Sequence, residues 1–172
     1  MQWLQSIGVD LDVLPHLASL LTAYLLALPI GWDRERHERS AGLRTFPLVA
    51  IASCGFVQAA EPLLQGNAEA TARVVEGLIT GMGFIGGGAI LVVKSSVRGT
   101  ATAASLWATG AIGTAVGLGS YDTAIVLSIV TFVTLRVMST FKDDPDDAPD
   151  RKDQPANSPH RGSHSTSSSS ST

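Results

Sequence analysis

Residues 99–121 read GTATAASLWATGAIGTAVGLGSY and contain no Asp, Glu, Lys or Arg over 23 positions. A helix at the surface of a soluble protein needs a polar face, and here serine and threonine would have to supply nearly all of it. A helix that crosses a membrane needs about 17–25 mainly apolar residues. This stretch therefore predicts a membrane-spanning helix rather than a buried helix of a soluble bundle.

Four further stretches without charged residues lie at positions 13–32, 45–60, 77–93 and 123–135. The shorter ones reach spanning length with their flanking residues, because an arginine at a helix end can extend its guanidinium to the headgroups. The sequence thus predicts an all-α, polytopic membrane helix bundle. Its five transmembrane helices are expected at about residues 13–31, 43–60, 72–93, 100–119 and 122–141.

The basic residues predict the orientation of these helices. They concentrate around the first and third loops and the C-terminal flank, at Arg34, Arg36, Arg39, Arg44, Lys94, Arg98, Arg136 and Lys142. The second loop has only Arg73, and the segment before the first helix has no base. Because cytoplasmic loops are enriched in Lys and Arg, this pattern predicts an outside N-terminus and a cytoplasmic C-terminus. The missing basic start also argues against a cleaved signal peptide.

Composition divides the chain into a transmembrane domain, residues 1–142, and a tail, residues 143–172. The tail begins DDPDDAPD and ends in a serine run, which predicts a disordered, acidic and Ser-rich cytoplasmic segment. The domain holds nine acidic and nine basic residues, so it is net neutral. A neutral body gives no reason to expect binding to nucleic acid, which requires a basic surface.

Residue types that carry catalysis are sparse. The single cysteine, Cys54, lies in an apolar stretch, which excludes an intrachain disulfide and a Cys-based metal cluster. The four histidines are scattered along the chain, at His16, His37, His160 and His164. Without a nucleophile–base pair or a metal-ligand cluster, the sequence predicts no enzyme and no cofactor, with Mg²⁺ the one ion to consider.

A glycine-rich segment, GMGFIGGG at residues 81–88, matches the G-x-G-x-x-G pattern of dinucleotide-binding loops. That pattern needs a preceding strand and an acid about 20 residues on, whereas here the next acid is Asp122. Close helix packing is the favoured interpretation, because small residues let membrane helices approach each other. A broken helix that forms a binding site is the alternative. The residues involved in either interpretation are Gly77, Gly81, Gly83, Gly86, Gly87 and Gly88.

The charge-dense run DRERHER, residues 33–39, is interpreted as a cytoplasmic loop. Asp33 and Glu35 are weak candidates for a Mg²⁺ site, since this ion uses one or two carboxylates and keeps several waters. Alternatively, Arg34 and Arg44 neutralise them in a structural ion-pair cluster. Spacing alone favours the ion pairs.

Glu76 falls one turn into the predicted third helix, where a carboxylate is costly. Arg73 lies three residues earlier, at helical pairing distance. An interfacial ion pair is the simpler interpretation, and a proton or cation site at Glu76 is the alternative.

Two blocks of the sequence together resemble the MgtC/SapB family of bacterial inner-membrane proteins. The first runs GWDRER, residues 31–36, to AGLRT, residues 41–45. The second contains GMGFIGGGAI, residues 81–90, followed by VRG, residues 97–99, and TAASLW, residues 102–107. The resemblance covers about residues 13–140. Phe46, Glu76 and the Thr100-Ala101 pair depart from residues common in the family.

The resemblance implies a five-span, multi-pass protein of the bacterial inner (plasma) membrane. It implies a link to magnesium homeostasis and growth at low Mg²⁺ and, in pathogens, to virulence through survival inside host cells. It also implies regulation of other membrane proteins, such as ATP synthase or cation transporters, rather than Mg²⁺ transport. The short tail stands where larger members carry a soluble domain, so regulation through such a domain is not expected.

The leading hypothesis is a membrane regulatory protein whose helices three and four pack against a partner or a second copy. A fixed polar network at the cytoplasmic mouth of the bundle is expected from Asp33, Arg34, Glu35, Arg44 and Thr45. The alternative is an oligomeric transporter or channel for a cation such as Mg²⁺, using Asp33, Glu35 and Glu76.

Overall fold

A computed structural model describes residues 13–37, 41–93 and 96–141, with the side chains of residues 93, 96 and 139–141 left aside. Five helices follow in order: α1 (Val13–His37), α2 (Thr45–Leu64), α3 (Ala68–Gly88), α4 (Thr100–Gly117) and α5 (Tyr121–Phe141). An antiparallel hairpin of β1 (Leu91–Val93) and β2 (Ser96–Arg98) joins α3 to α4. The predicted all-α class is confirmed. The predicted tail lies outside the described residues.

Polar contacts along the first half of α1 show the direction of its neighbours. Near the start of α1, the Ser19 and Tyr121 hydroxyls are 3.0 Å apart, and about two turns later Ser128 Oγ donates to the Leu26 carbonyl at 2.7 Å. Helices α1 and α5 are therefore parallel. In contrast, Gln58 near the end of α2 donates to the carbonyl of His16 near the start of α1. Helices α1 and α2 are therefore antiparallel.

Close approaches to α4 complete the arrangement. An added Cβ on Gly113 or Gly117 would meet Ala50 or Val57, respectively, so α4 runs parallel to α2. Gly86 faces the Ala103 carbonyl while Met82 lies against Gly110, so α3 and α4 are antiparallel. Successive helices thus alternate in direction through one bundle. The end that holds the α1–α2 connection, the hairpin and the last turn of α5 is called the Asp33 end below.

Helix α4 is the centre of the bundle and contacts each of the other four helices. Its sequence suits this position, because glycine, alanine, serine and threonine keep the interhelical distances short. The hydroxyls at the middle of α4 are satisfied inside the helix: Ser105 donates to the Ala101 carbonyl and Thr109 to the Ser105 carbonyl, both at 2.8 Å. The core cluster draws on α1, α2, α4 and α5, so α3 packs at the periphery.

Three helices, α1, α2 and the Tyr121–Met138 part of α5, are long and apolar enough to cross a membrane. Helix α3 carries Glu69, Arg73 and Glu76, which lower its hydropathy. Helix α4 is instead rich in small and hydroxyl-bearing residues because its surroundings are mostly protein. The three apolar helices by themselves support a membrane location, even though α3 and α4 are less apolar.

The predicted helix 43–60 extends to Leu64 and the predicted helix 72–93 begins at Ala68, and two further boundaries differ more. Helix α1 continues to His37 instead of ending near residue 31, so Asp33 begins the last helical turns rather than a loop. Helix α3 ends at Gly88 instead of residue 93, and the valine-rich residues that follow form the hairpin, which suits β-branched side chains. The glycine triplet at residues 86–88 therefore ends a helix rather than interrupting one.

Candidate functional site

Asp33 is buried near the end of α1, with 1% of its side chain exposed. Arg34 Nη2 donates to Asp33 Oδ2 at 3.1 Å, and Arg136 Nη1 of α5 lies 3.8 Å from Asp33 Oδ1. The Arg34 side chain is also buried, whereas 56% of the Arg136 side chain is exposed. A buried carboxylate is tolerated because these two guanidiniums offset its charge.

The helix periodicity explains why Asp33 and Arg34 are buried. Ala23, Ala27 and Ile30 face the core at successive turns of α1, and Arg34 continues the same face with Asp33 beside it. The face that packs against the bundle thus ends in a charged pair instead of another apolar residue. This arrangement places an ion pair at the junction of the apolar core and the Asp33 end.

His37 closes the last turn of α1 over the same carboxylate. Its Nδ1–H donates to the Asp33 carbonyl oxygen at 2.7 Å, and the same nitrogen lies 3.8 Å from Asp33 Oδ2. Asp33 Oδ1 is buried and accepts no hydrogen bond from any residue that the structure describes. Arg136 therefore acts on this oxygen through charge at 3.8 Å, and the oxygen keeps its capacity to accept a hydrogen bond.

Glu35 has a different role from Asp33, although only one residue separates them. It is exposed, and its Oε2 accepts a hydrogen bond from the Leu43 backbone N–H at 3.0 Å. The Glu35 side chain also lies directly against Gly42, where a Cβ would overlap it. The Gly42 carbonyl in turn accepts from the N–H groups of Thr45 and Phe46, which begin α2. Glu35 thus fixes the connection between α1 and α2.

The five residues predicted as one network therefore lie in three places. Asp33 and Arg34 form the buried pair, and Glu35 holds the connection. Arg44 is exposed and lines, with Thr45, an apolar groove between α2 and α3. Arg136, which the sequence analysis placed only among the topology signals, joins the buried pair. An isolated charge five residues before the end of an apolar helix was the signal for it, since such a charge requires a partner.

The two weak metal candidates do not converge. Asp33 is buried and Glu35 is exposed, and helix positions two apart point to different sides. Within the described ranges, no three His, Cys, Asp or Glu side chains come together as a metal site. Chemically, the site is a charge-compensated carboxylate with one underused acceptor oxygen.

Helix α3 carries the other predicted residues, and most of them face away from the chain. Arg73 pairs with Glu69 at 2.8 Å instead of with Glu76 as the spacing suggested, and Glu76 is exposed. An added Cβ would meet no atom within 4 Å at Gly77, Gly81, Gly83, Gly87 or Gly88. Gly86 is different, because a Cβ there would lie 3.2 Å from the Ala103 carbonyl oxygen. Of the six predicted packing glycines, Gly86 alone packs within the described chain.

Comparison with known proteins places this arrangement in a family. The sequence profile of the MgtC family matches residues 20–143. Protein MgtC of Salmonella typhimurium is 35% identical over 116 residues, which cover 67% of this chain and 49% of that protein. Protein MgtC of Brucella abortus is 39% identical over 117 residues, covering 67% and 48%. Protein SrpB of Synechococcus elongatus is 40% identical over 135 residues, covering 72% of each.

No solved structure gives a significant match. The chain spans about half the length of the MgtC proteins from Salmonella and Brucella. The profile match covers the buried Asp33 pair, the α1–α2 connection and the whole of α3 and α4. Since the match extends over most of the sequence, the chain belongs to the MgtC family.

Proposed function

We propose that all five helices span the bacterial inner membrane, with the N-terminus outside and the Asp33 end in the cytoplasm. The shortest helix, α4, has 18 residues and a length of about 27 Å, close to the roughly 30 Å hydrocarbon thickness. The helices alternate in direction, as consecutive spans must. The described bases at the Asp33 end are Arg34, Arg36, Arg44, Arg98 and Arg136, and the opposite end has Arg73, which supports the proposed orientation.

We propose further that the protein is a non-catalytic regulator that binds another membrane protein through α3, in the context of growth at low Mg²⁺. The observation that carries this proposal is the face of α3 that nothing in the described chain covers. It presents Glu76 together with glycines at positions 77, 81, 83, 87 and 88. The family resemblance suggests ATP synthase or cation transporters as partners, and a second copy of the chain is another.

Physical chemistry favours a protein partner over lipid on this face. A carboxylate exposed to hydrocarbon is costly, so Glu76 is best accommodated against a polar group of a partner. Glycines also bring no side chain to contact lipid, whereas they allow another helix backbone to approach closely. The sequence also predicted that α4 packs against a partner. In the structure α4 is surrounded by its own chain, and its Gly113 and Gly117 contact α2.

Gly81→Leu tests the proposed surface. The added side chain enters open space in this chain, so we expect a normal unfolding transition and a normal protein level. The same side chain would hold a partner helix away from α3, so we expect loss of complementation in a deletion strain at limiting Mg²⁺. We also expect at least about a tenfold loss of the co-purified partner, if close packing contributes 1.4 kcal/mol or more.

Ala18→Leu is the matched control, because it enlarges a small exposed residue on α1. It is expected to complement like the wild type. Full complementation by Gly81→Leu at a normal protein level would remove α3 from the mechanism.

A cation pathway is the second candidate, and the buried Asp33 carboxylate with its underused Oδ1 is the observation that favours it. However, fully buried apolar side chains such as Ala27, Ala50 and Ile112 lie between the Asp33 end and the polar crevice around His16 and Glu61. A pathway would therefore have to run between copies of the chain.

Mg²⁺ flux into proteoliposomes distinguishes the two candidates. We expect correctly inserted protein to give the same flux as protein-free vesicles. The opposite result would be Mg²⁺ flux through the wild type that is lost in a correctly folded Asp33→Ala/Glu35→Ala variant. That result would contradict the regulator proposal and show that the protein is a transporter.

A further inference from the structure

A groove of about 700 Å³ runs between α1 and α5 and extends to the Asp33 end, where Leu43 of the α1–α2 connection also lines it. Its deeper part is apolar and is lined by Leu25 and Leu28 from α1 and Phe132 from α5. The part nearest the Asp33 end is lined by Trp32, Arg36 and Arg136. Because α1 and α5 are parallel, both walls change from apolar to basic in the same direction.

Helical periodicity produces this lining. Leu25, Leu28, Trp32 and Arg36 are spaced by three or four residues, so they lie along one face of α1. Arg36 Cζ lies 5.1 Å from the centroid of the Trp32 ring, which holds the guanidinium at the Asp33 end of the groove. On α5, Arg136 is one turn beyond Phe132 and on the same side.

Among the described residues that line the groove, two are basic, Arg36 and Arg136, and one is acidic, Asp33. The Asp33 carboxylate is paired with Arg34 as well as with Arg136. Arg36 and the exposed part of Arg136 thus place two guanidinium groups at the Asp33 end of the groove. Basic pockets between transmembrane helices are sites for anionic lipid headgroups, and guanidinium binds phosphate with two parallel hydrogen bonds.

We propose that this groove binds one phospholipid with an anionic headgroup, whose phosphate lies at Arg36 and Arg136 and whose acyl chain follows Leu25, Leu28 and Phe132. The proposal depends on membrane insertion but not on the α3 partner surface. A soluble anion would use only the arginines, whereas the apolar wall requires an acyl chain. The bound lipid would also place a negative charge beside the Asp33–Arg136 pair.

Fluorescence quenching of Trp32 by brominated lipids tests the proposal. Trp3 and Trp107 are replaced by phenylalanine, and the protein is inserted in phosphatidylcholine vesicles with a minor fraction of 6,7-dibromo phosphatidylglycerol or 6,7-dibromo phosphatidylcholine. Each basic side chain near an anionic lipid contributes a factor of about five in binding. Because Asp33 offsets part of the charge of the two arginines, we expect binding of brominated phosphatidylglycerol to be favoured over brominated phosphatidylcholine on the order of tenfold. Equal quenching by the two lipids would overturn the proposal.

Three variants test whether the preference for phosphatidylglycerol arises from lipid bound in this groove. Arg36→Gln, which leaves the Asp33 pair intact, is expected to lower the preference by a factor of about five. Arg36→Gln/Arg136→Gln is expected to abolish it. Arg98→Gln removes the same charge at the same end outside the groove and is expected to preserve it. A preference that survives in Arg36→Gln, or that Arg98→Gln lowers equally, would contradict the proposed site.

A final arm separates lipid from a soluble anion. Excess inorganic phosphate in the buffer is expected to leave the preference for brominated phosphatidylglycerol unchanged at matched ionic strength. Loss of the preference in phosphate, but not in chloride, would assign the two arginines to a soluble anion and overturn the lipid proposal.

Discussion

Asp33→Ala is expected to lower the free energy of unfolding by about 1.5–3 kcal/mol, because it removes the buried carboxylate to which the Arg34 guanidinium donates. The loss is expected to fall in the same range whether or not the protein has a partner, since the pair lies inside a single chain. A denaturant titration in detergent measures it. Asp33→Asn keeps the size and an acceptor oxygen but removes the charge, so a smaller loss is expected.

Two controls define the origin of the effect. Arg136→Gln is expected to cost about 1 kcal/mol or less, because its side chain is 56% exposed and solvent screens the interaction at 3.8 Å. Asp33→Ala/Arg34→Leu removes both buried charges and is expected to recover much of the stability. An Asp33→Ala protein as stable as the wild type would show that the carboxylate is not buried with Arg34.

Gly113→Leu is expected to prevent assembly of the bundle. Even a single Cβ at this position would overlap the Ala50 carbonyl oxygen and lie 2.9 Å from Ala50 Cα. Overpacking typically costs about 1–3 kcal/mol, and here the contacting atoms are backbone that cannot rotate away. A leucine would have to separate α4 from α2, the pair at the middle of the core. Size-exclusion chromatography in detergent is expected to show aggregated instead of monodisperse protein.

Gly83→Leu is the matched control on α3. No described atom lies within 4 Å of a Cβ at Gly83, and replacing glycine within a helix improves the backbone propensity by roughly 0.5–1 kcal/mol. This variant is expected to be monodisperse and to unfold at the same temperature as the wild type or higher. If both variants behave alike, the α2–α4 contact at Gly113 is not as close as described.

The charged segment at residues 33–39 illustrates the limit of local reasoning. Its composition predicts a loop, yet α1 continues through Asp33 to His37, since the buried face of the helix extends as far as Arg34. The partner that completes the pair, Arg136, is about a hundred residues away in sequence. Spacing rules relate residues within one helix, so they could indicate Arg34 but not Arg136.

The hairpin and the glycines show the same limit in two further ways. Leu91 and Val92 belong to an apolar run that length alone assigns to helix three, whereas pairing of Val92 with Val97 makes this segment a strand. Glycine pairs four residues apart occur in both α3 and α4, but the glycines of α4 face α2 or α3 and most of those of α3 face outward. Which glycine packs depends on the position of each helix in the bundle.

The sequence by itself determined the all-α class, the order of the five helices in the described residues and the family, and it predicted membrane insertion and orientation. These follow from the length of apolar runs, the charge at their ends and contiguous motifs, all of which are local along the chain. Only the tertiary structure decided that α4 is central, that α3 is open and that Asp33 lies buried beside Arg136. The reason is that burial is a property of neighbouring helices, and neighbours in the bundle are distant in sequence.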